Sequence, residues 1–226
     1  MKLKVAVLLV AVGGAIGLAF QFGGASAAAS GQASFAAAPA VMLAMADKEF
    51  EYIGSKKCKM CHSQTHKAWE TTAHAKALET LQPGKAKEAK EKFKLDPAKD
   101  YSTDKACLGC HTVGFGKKGG YVVPDPADEK AVKAAGELAG VGCEACHGPG
   151  GGFDEFKKAL KKDKTKKYKF EELAALGATK VEAATCTACH NEKSATYDKA
   201  KPFDFGKMSK DEKAIHAHDE LKQREG

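Results

Sequence analysis

The chain has 226 residues, 36 Lys and Arg against 29 Asp and Glu, a formal charge of +7, eight cysteines and a single tryptophan, Trp69. Length excludes a large multidomain assembly, and the Lys-rich, Trp-poor composition excludes a firm core built from side chains alone. The lysines are spread through helical segments with few arginines and few interleaved aromatics, so nucleic acid is not an expected partner.

In chain order, Lys2 and Lys4 precede an unbroken apolar run over 5–20, and no acidic residue occurs before Asp47. Residues 1–46 therefore read as a signal peptide or apolar leader, with small-residue cleavage sites at "ASAAAS" and "AMAD". Export to the periplasm follows, with a mature start near Asp47. The competing reading keeps the leader as a membrane anchor, although its apolar run is shorter than the ~20 residues that span a bilayer. Losing Lys2 and Lys4 lowers the charge from +7 to +5.

Residues 47–226 read as one domain. Helical periodicity appears near 62–81, 84–94, 127–139, 153–162, 168–176 and 208–222. Pro83-Gly84, Pro97, "KKGG", "PDP" and "HGPGGG" break these segments. Strand signal is confined to "GYVV" at 120–123. The expected fold is mainly α with long loops and minimal β.

All eight cysteines fall in four copies of one pentapeptide: "CKMCH" at 58, "CLGCH" at 107, "CEACH" at 143 and "CTACH" at 186. Disulfides or paired zinc sites would use the cysteines and leave the histidine that closes every copy unexplained. Cys-x-x-Cys on one helical turn presents two sulfurs to the two vinyl groups of a porphyrin, and the next residue offers its imidazole to the iron. Four covalent haem c groups are thus expected, on Cys58/Cys61, Cys107/Cys110, Cys143/Cys146 and Cys186/Cys189, with His62, His111, His147 and His190 as proximal ligands. Four porphyrins also supply the missing interior. Their propionates bring the mature charge from +5 to about +1, so part of the lysine excess answers them.

His66, His74, His216 and His218 remain for the distal iron faces, with Met60 and Met208 as thioether alternatives. His66 stands four residues after His62 and cannot reach the opposite side of the same porphyrin. It either serves another haem or lies beside Trp69. His74 sits in an apolar helical pattern and is expected to be a ligand. His216 and His218 point oppositely on a helix, so one ligates while the other meets water.

The stretches "KKCKMCH", "TAHAKALE", "AKEAKEKFKLDPAKDYSTDKACLGCH", "GFGKKGGY", "GVGCEACHGPG", "CTACH" and "FDFGKMSKDEKAIHAH" resemble the tetrahaem cytochrome c-554 family, electron acceptors of hydroxylamine oxidoreductase in ammonia-oxidising bacteria. The resemblance implies three bis-histidine haems and one, the second, with an open iron face. Carried over by position, His216 completes the haem on His62, His74 completes the haem on His147, and the haem on His111 is open. Two features depart from the family. Residues 148–185 hold no histidine to complete the haem on His190, which leaves His66, His218, Met208, a non-histidine donor or an open face. The segment between the fourth motif and the final helix is also shorter.

The expected function is periplasmic electron transfer from a hydroxylamine oxidoreductase-like donor to a quinone reductase or small cytochrome. The alternative is a redox enzyme acting on nitric oxide, nitrite or hydroxylamine at a five-coordinate haem. No catalytic proton donor is identified, so the carrier is the leading reading. A third reading is an electron-storage or scaffold subunit of a larger complex, tethered by an uncleaved leader.

Overall fold

The computed structural model describes residues 49–163 and 165–216. The leader, the expected start at Asp47 and His218 lie outside them. The described chain is a series of short helices joined by turns: α1 (Ser55–Lys59), α2 (Ser63–Glu70), a 3-10 helix (Leu78–Leu81), α3 (Lys87–Lys92), α4 (Lys105–His111), α5 (Glu129–Gly136), α6 (Cys143–His147), α7 (Phe153–Lys162), α8 (Phe170–Ala174), α9 (Ala183–Thr187) and α10 (Phe205–Met208). Helices this short do not hold themselves in water, so tertiary anchors must fix them.

Several starts are written locally. Asp104 accepts from the Ala106 amide at 2.9 Å ahead of α4, and Asp128 accepts from Lys130 and Ala131 at 2.9 and 3.1 Å ahead of α5. Each satisfies amides that a first turn leaves without an intrahelical acceptor. In α7, Asp154 and Glu155 occupy the first turn and Lys161 and Lys162 the last, complementing the helix dipole.

The side-chain core is small and lies behind the second motif. Leu108 of α4 is 0% exposed and Val113 1%, with Tyr121, Ala135 and Leu138 closing round them and Tyr52, Leu78 and Phe115 packed against the cluster. Val113 donates to the Leu138 carbonyl at 2.9 Å, and Tyr121 donates to the Val113 carbonyl at 2.8 Å. The "GYVV" segment makes no strand: only the isolated bridge Thr112–Ala139 occurs among the described residues. Tyr121 turns inward, whereas Val122 is 71% exposed and Pro124 brings no amide to a ladder.

The expected helix over 62–81 is interrupted. After Glu70, the Thr71 and Thr72 hydroxyls donate back to the Ala68 and Trp69 carbonyls at 2.8 Å each, and the Thr72 hydroxyl then accepts from the Ala75 amide at 3.2 Å. Side-chain bonding of this kind competes with the helix and ends it. His74 therefore sits on a turn. The periodicity near 208–222 becomes helix only at Phe205–Met208 within the described residues.

Candidate haem-binding site

Each pentapeptide begins in a short helix, and the helix or the turn that follows it carries the second cysteine and the histidine. In the fourth motif the His190 amide donates to the Cys186 carbonyl at 2.9 Å, and in the first the His62 amide donates to the Cys58 carbonyl at 2.9 Å. None of the eight cysteines is paired in a disulfide. Burial raises the thiols of Cys146, to about 11, and of Cys189, to about 12, whereas the bond with Cys58 and then the Ser55 hydroxyl lower the Cys143 thiol to about 7. Among the described residues no three His, Cys, Asp or Glu side chains gather as a metal site.

Cys61 departs from the expectation that both sulfurs of a motif share one setting on one helical turn. It is exposed, whereas Cys58 and the six cysteines of the other motifs are half-buried. The cause is the early end of α1 at Lys59, which leaves Cys61 on the turn between α1 and α2, its amide donating to the Cys58 carbonyl at 3.1 Å. Cys58 faces inward to the third motif, and Cys61 stands at the surface. The three-residue spacing that a thioether pair needs is kept, but protein packs only the Cys58 side of it.

The motifs touch in a definite order. Cys58 of the first shares a hydrogen bond with Cys143 of the third. Cys146 of the third and Cys186 of the fourth lie within each other's electrostatic reach. Cys189 of the fourth shares a hydrogen bond with Cys110 of the second. The spatial sequence is first, third, fourth, second.

Two histidine pairs stand out. His74 and His190 have ring centroids 6.0 Å apart at 70°, and His147 and His216 are 6.4 Å apart at 33°. Each pair brings together two imidazoles that would ligate one haem iron.

This pairing differs from the one carried over by position, which joined His74 to the haem on His147 and His216 to the haem on His62. The reason lies in how the 71–77 turns dock. The Val141 amide donates to the His74 carbonyl at 2.8 Å, and the Trp69 indole donates to the Val141 carbonyl at 2.9 Å. Gly140, at φ 75°, presses against this turn so closely that a side chain there would strike the Ala75 carbonyl. So docked, His74 lies beside the fourth motif, and its ring bonds to the Ala214 carbonyl. Two residues further, His216 meets His147. Because 148–185 hold no histidine, His74 is the imidazole that stands opposite His190.

Burial pulls the His74 imidazole below its ordinary value, partly offset by the Ala214 bond; burial and then the neighbouring His74 do the same to His190. Both stay neutral, the form that binds metal. The Nδ1 of His111 lies 2.7 Å from the Ala77 carbonyl and 3.5 Å from the Thr80 hydroxyl. Among the described residues no second imidazole meets the His111 ring.

His66 serves none of the motifs through a ring contact. It is buried, edge-on to Trp69 at 5.2 Å, with Nδ1 3.4 Å from a Glu70 carboxylate oxygen. It lines a cleft of about 310 Å³ together with Lys56, Lys59 and Glu137. Met60 is 57% exposed. Two contributors carried no signal in the sequence: the Ala77 carbonyl behind His111, and Phe203, stacked on His190 at 4.6 Å and 16°. Neither belongs to a motif, and only the fold brings them in.

Four Cys-x-x-Cys-His turns in one helical wrapper, with imidazoles brought together in pairs, define a tetrahaem c-type cytochrome. Residues 57–148 match the family model described as cytochrome c554 and c-prime. Cytochrome c-554 of Nitrosomonas europaea (strain ATCC 19718) is 43% identical over 194 residues, 78% of each chain. The reduced-state structure of cytochrome c554 from Nitrosomonas europaea superposes with a TM-score of 0.65 at 40% identity, covering 79% of this chain and 91% of that one. The chain belongs to the cytochrome c-554 family, and it carries four covalently bound haem c groups.

Proposed function

We propose that residues 47–226 form an exported, periplasmic electron carrier that accepts electrons from a hydroxylamine oxidoreductase-like multihaem enzyme and delivers them to a quinone reductase or small cytochrome. Membership of a cytochrome family supports the carrier class. The observation that carries the reading is the contact order of the motifs, which sets neighbouring cysteine tethers side by side from first to third, fourth and second.

When bound, the haems supply one-electron redox sites, and the protein sets their potentials through ligands, burial and hydrogen bonds. The cysteines would tether the porphyrins, and His62, His111, His147 and His190 would ligate from their own motifs. His74, beside His190, and His216, beside His147, would supply a second imidazole. Imidazole on both faces keeps an iron six-coordinate in both oxidation states, so little rearranges as an electron moves. The test is stopped-flow mixing of the oxidised protein with a purified hydroxylamine-oxidising multihaem enzyme and its substrate. Rapid haem reduction supports the donor; none at low or at moderate salt overturns it.

One observation favours a second activity. His111 has its proximal hydrogen bond and meets no second imidazole among the described residues. An iron ligated there would accept nitric oxide or a similar small molecule. Turnover of nitric oxide by the reduced protein would establish this reading, and simple binding without turnover would leave the carrier alone.

A further inference from the structure

The carboxylate of Glu144, the second residue of the third motif, is 3% exposed. One oxygen accepts from the Ile53 amide at 3.0 Å and the Gly150 amide at 2.6 Å; the other accepts from Ile53 at 3.1 Å and Gly54 at 2.7 Å. Among the described residues no Lys, Arg or His pairs with it. Backbone dipoles satisfy the oxygens, yet the full negative charge stays inside the protein.

Its partners are specific to the haem arrangement. Ile53 and Gly54 lead directly into α1, which carries Cys58, whereas Glu144 belongs to α6, which carries Cys143 and Cys146. Gly54 has a φ of 83°, a conformation glycine takes without strain, and this turns its amide toward the carboxylate. The Ser55 hydroxyl adds a further tie, accepting from the Cys143 amide at 3.3 Å. Gly150 has no side chain to crowd the site; a Cβ there would lie 3.1 Å from a Glu144 oxygen.

We infer that Glu144 is a positioning residue that holds the first and third haem motifs in register and, by its buried charge, lowers the reduction potentials of the two haems they tether. The inference rests on the carrier reading above. A buried anion favours the more positive ferric iron, and the effect is larger where water screens it less. The field already reaches the neighbourhood: burial first, and Glu144 next, push the Tyr52 hydroxyl up. A purely mechanical brace would hold the motifs without moving any potential.

The experiment is spectroelectrochemical titration of the four-haem protein and its Glu144→Gln and Glu144→Asp variants, with haem content checked by intact mass and amide exchange at Ile53 and Gly54 followed in parallel. For Glu144→Gln, two haems shift to higher potential, two stay fixed, and exchange at Ile53 and Gly54 quickens. Unchanged potentials, or an equal shift of all four, would overturn the inference. Glu144→Asp keeps the charge and shortens the reach, so it is expected to quicken exchange while leaving potentials low. If the Gln variant does not mature with four haems, the Asp variant decides: raised potentials with unaltered exchange contradict the proposal. Reduction of the unaltered protein by its donor is measured separately, so failure here leaves the carrier reading standing.

Discussion

The Nδ1 of His111 donates to the carbonyl oxygen of Ala77 across 2.7 Å, joining the second motif to the turn that precedes the 3-10 helix. This bond fixes the tautomer: Nδ1 keeps the proton, and Nε2 presents its lone pair to a metal. It also orients the ring from behind. An iron held by His111 alone has a reactive sixth position. Titration of the oxidised protein with cyanide is therefore expected to convert at least one haem to a low-spin adduct and leave at least the two at the His190/His74 and His147/His216 pairs unaltered. Conversion of none would place a ligand on the far side of that iron.

His74 is expected to be a ligand to the haem on His190. Replacing His74 with Ala should turn one low-spin haem high-spin, and resonance Raman of a His74→Ala/His190→Ala double variant should show no second six-coordinate haem lost. Loss of a further one would restore the pairing of His74 with His147. Gly140→Val should produce a milder form of the same change, a mixture of spin states at one haem, because the new side chain pushes the Ala75 carbonyl and displaces the turn that carries His74.

Acid should attack the bis-histidine sites late. The imidazoles of His74 and His190 are both depressed from 6.5, chiefly by burial. A depressed group contributes stability that is fully present above its unfolded value and is lost as pH falls through the folded one. The low-spin absorbance should hold steady as pH falls to 6.5 and decline only below it. A transition centred above 6.5 would contradict the assignment.

Lys90 is 4% exposed, and its ammonium donates to the Gln82 carbonyl at 2.6 Å and the Leu81 carbonyl at 3.3 Å, with the Tyr101 ring 5.5 Å away. It ties α3 to the end of the 3-10 helix. Although the Leu81 and Gln82 carbonyls keep the Tyr101 and Lys85 amides as donors, Lys90→Met removes both ammonium hydrogen bonds, a loss of about 1–3 kcal/mol. Thermal unfolding should show a lowered Tm with four haems retained; an unchanged Tm would mean that water replaces the ammonium.

The covalent part of the site was legible because thioether chemistry demands a fixed local spacing, and four copies of Cys-x-x-Cys-His repeat it. Spacing does not report surroundings, so nothing in "CKMCH" separates the exposed Cys61 from the half-buried Cys58. The helices near 84–94 and 127–139 also appeared in place, shortened at their ends, and the one at 153–162 at its full expected length. Legibility failed where tertiary contact decides. His74 lies in an apolar pattern that reads as helix, yet the hydroxyls of Thr71 and Thr72 end that helix and Val141 docks the turn. Which imidazole meets which depends on that docking. Glu144 is invisible for a different reason: it fills a variable position of a motif, and two of its three amide partners, Ile53 and Gly54, lie some 90 residues away.

Mössbauer spectroscopy of the reduced protein, enriched in 57Fe, tests the ligand account most directly, since it counts every iron regardless of magnetic coupling. At least two low-spin ferrous irons, at the His190/His74 and His147/His216 pairs, and at least one high-spin ferrous iron, held by His111, are expected. Four low-spin irons, or fewer than two, would contradict the account.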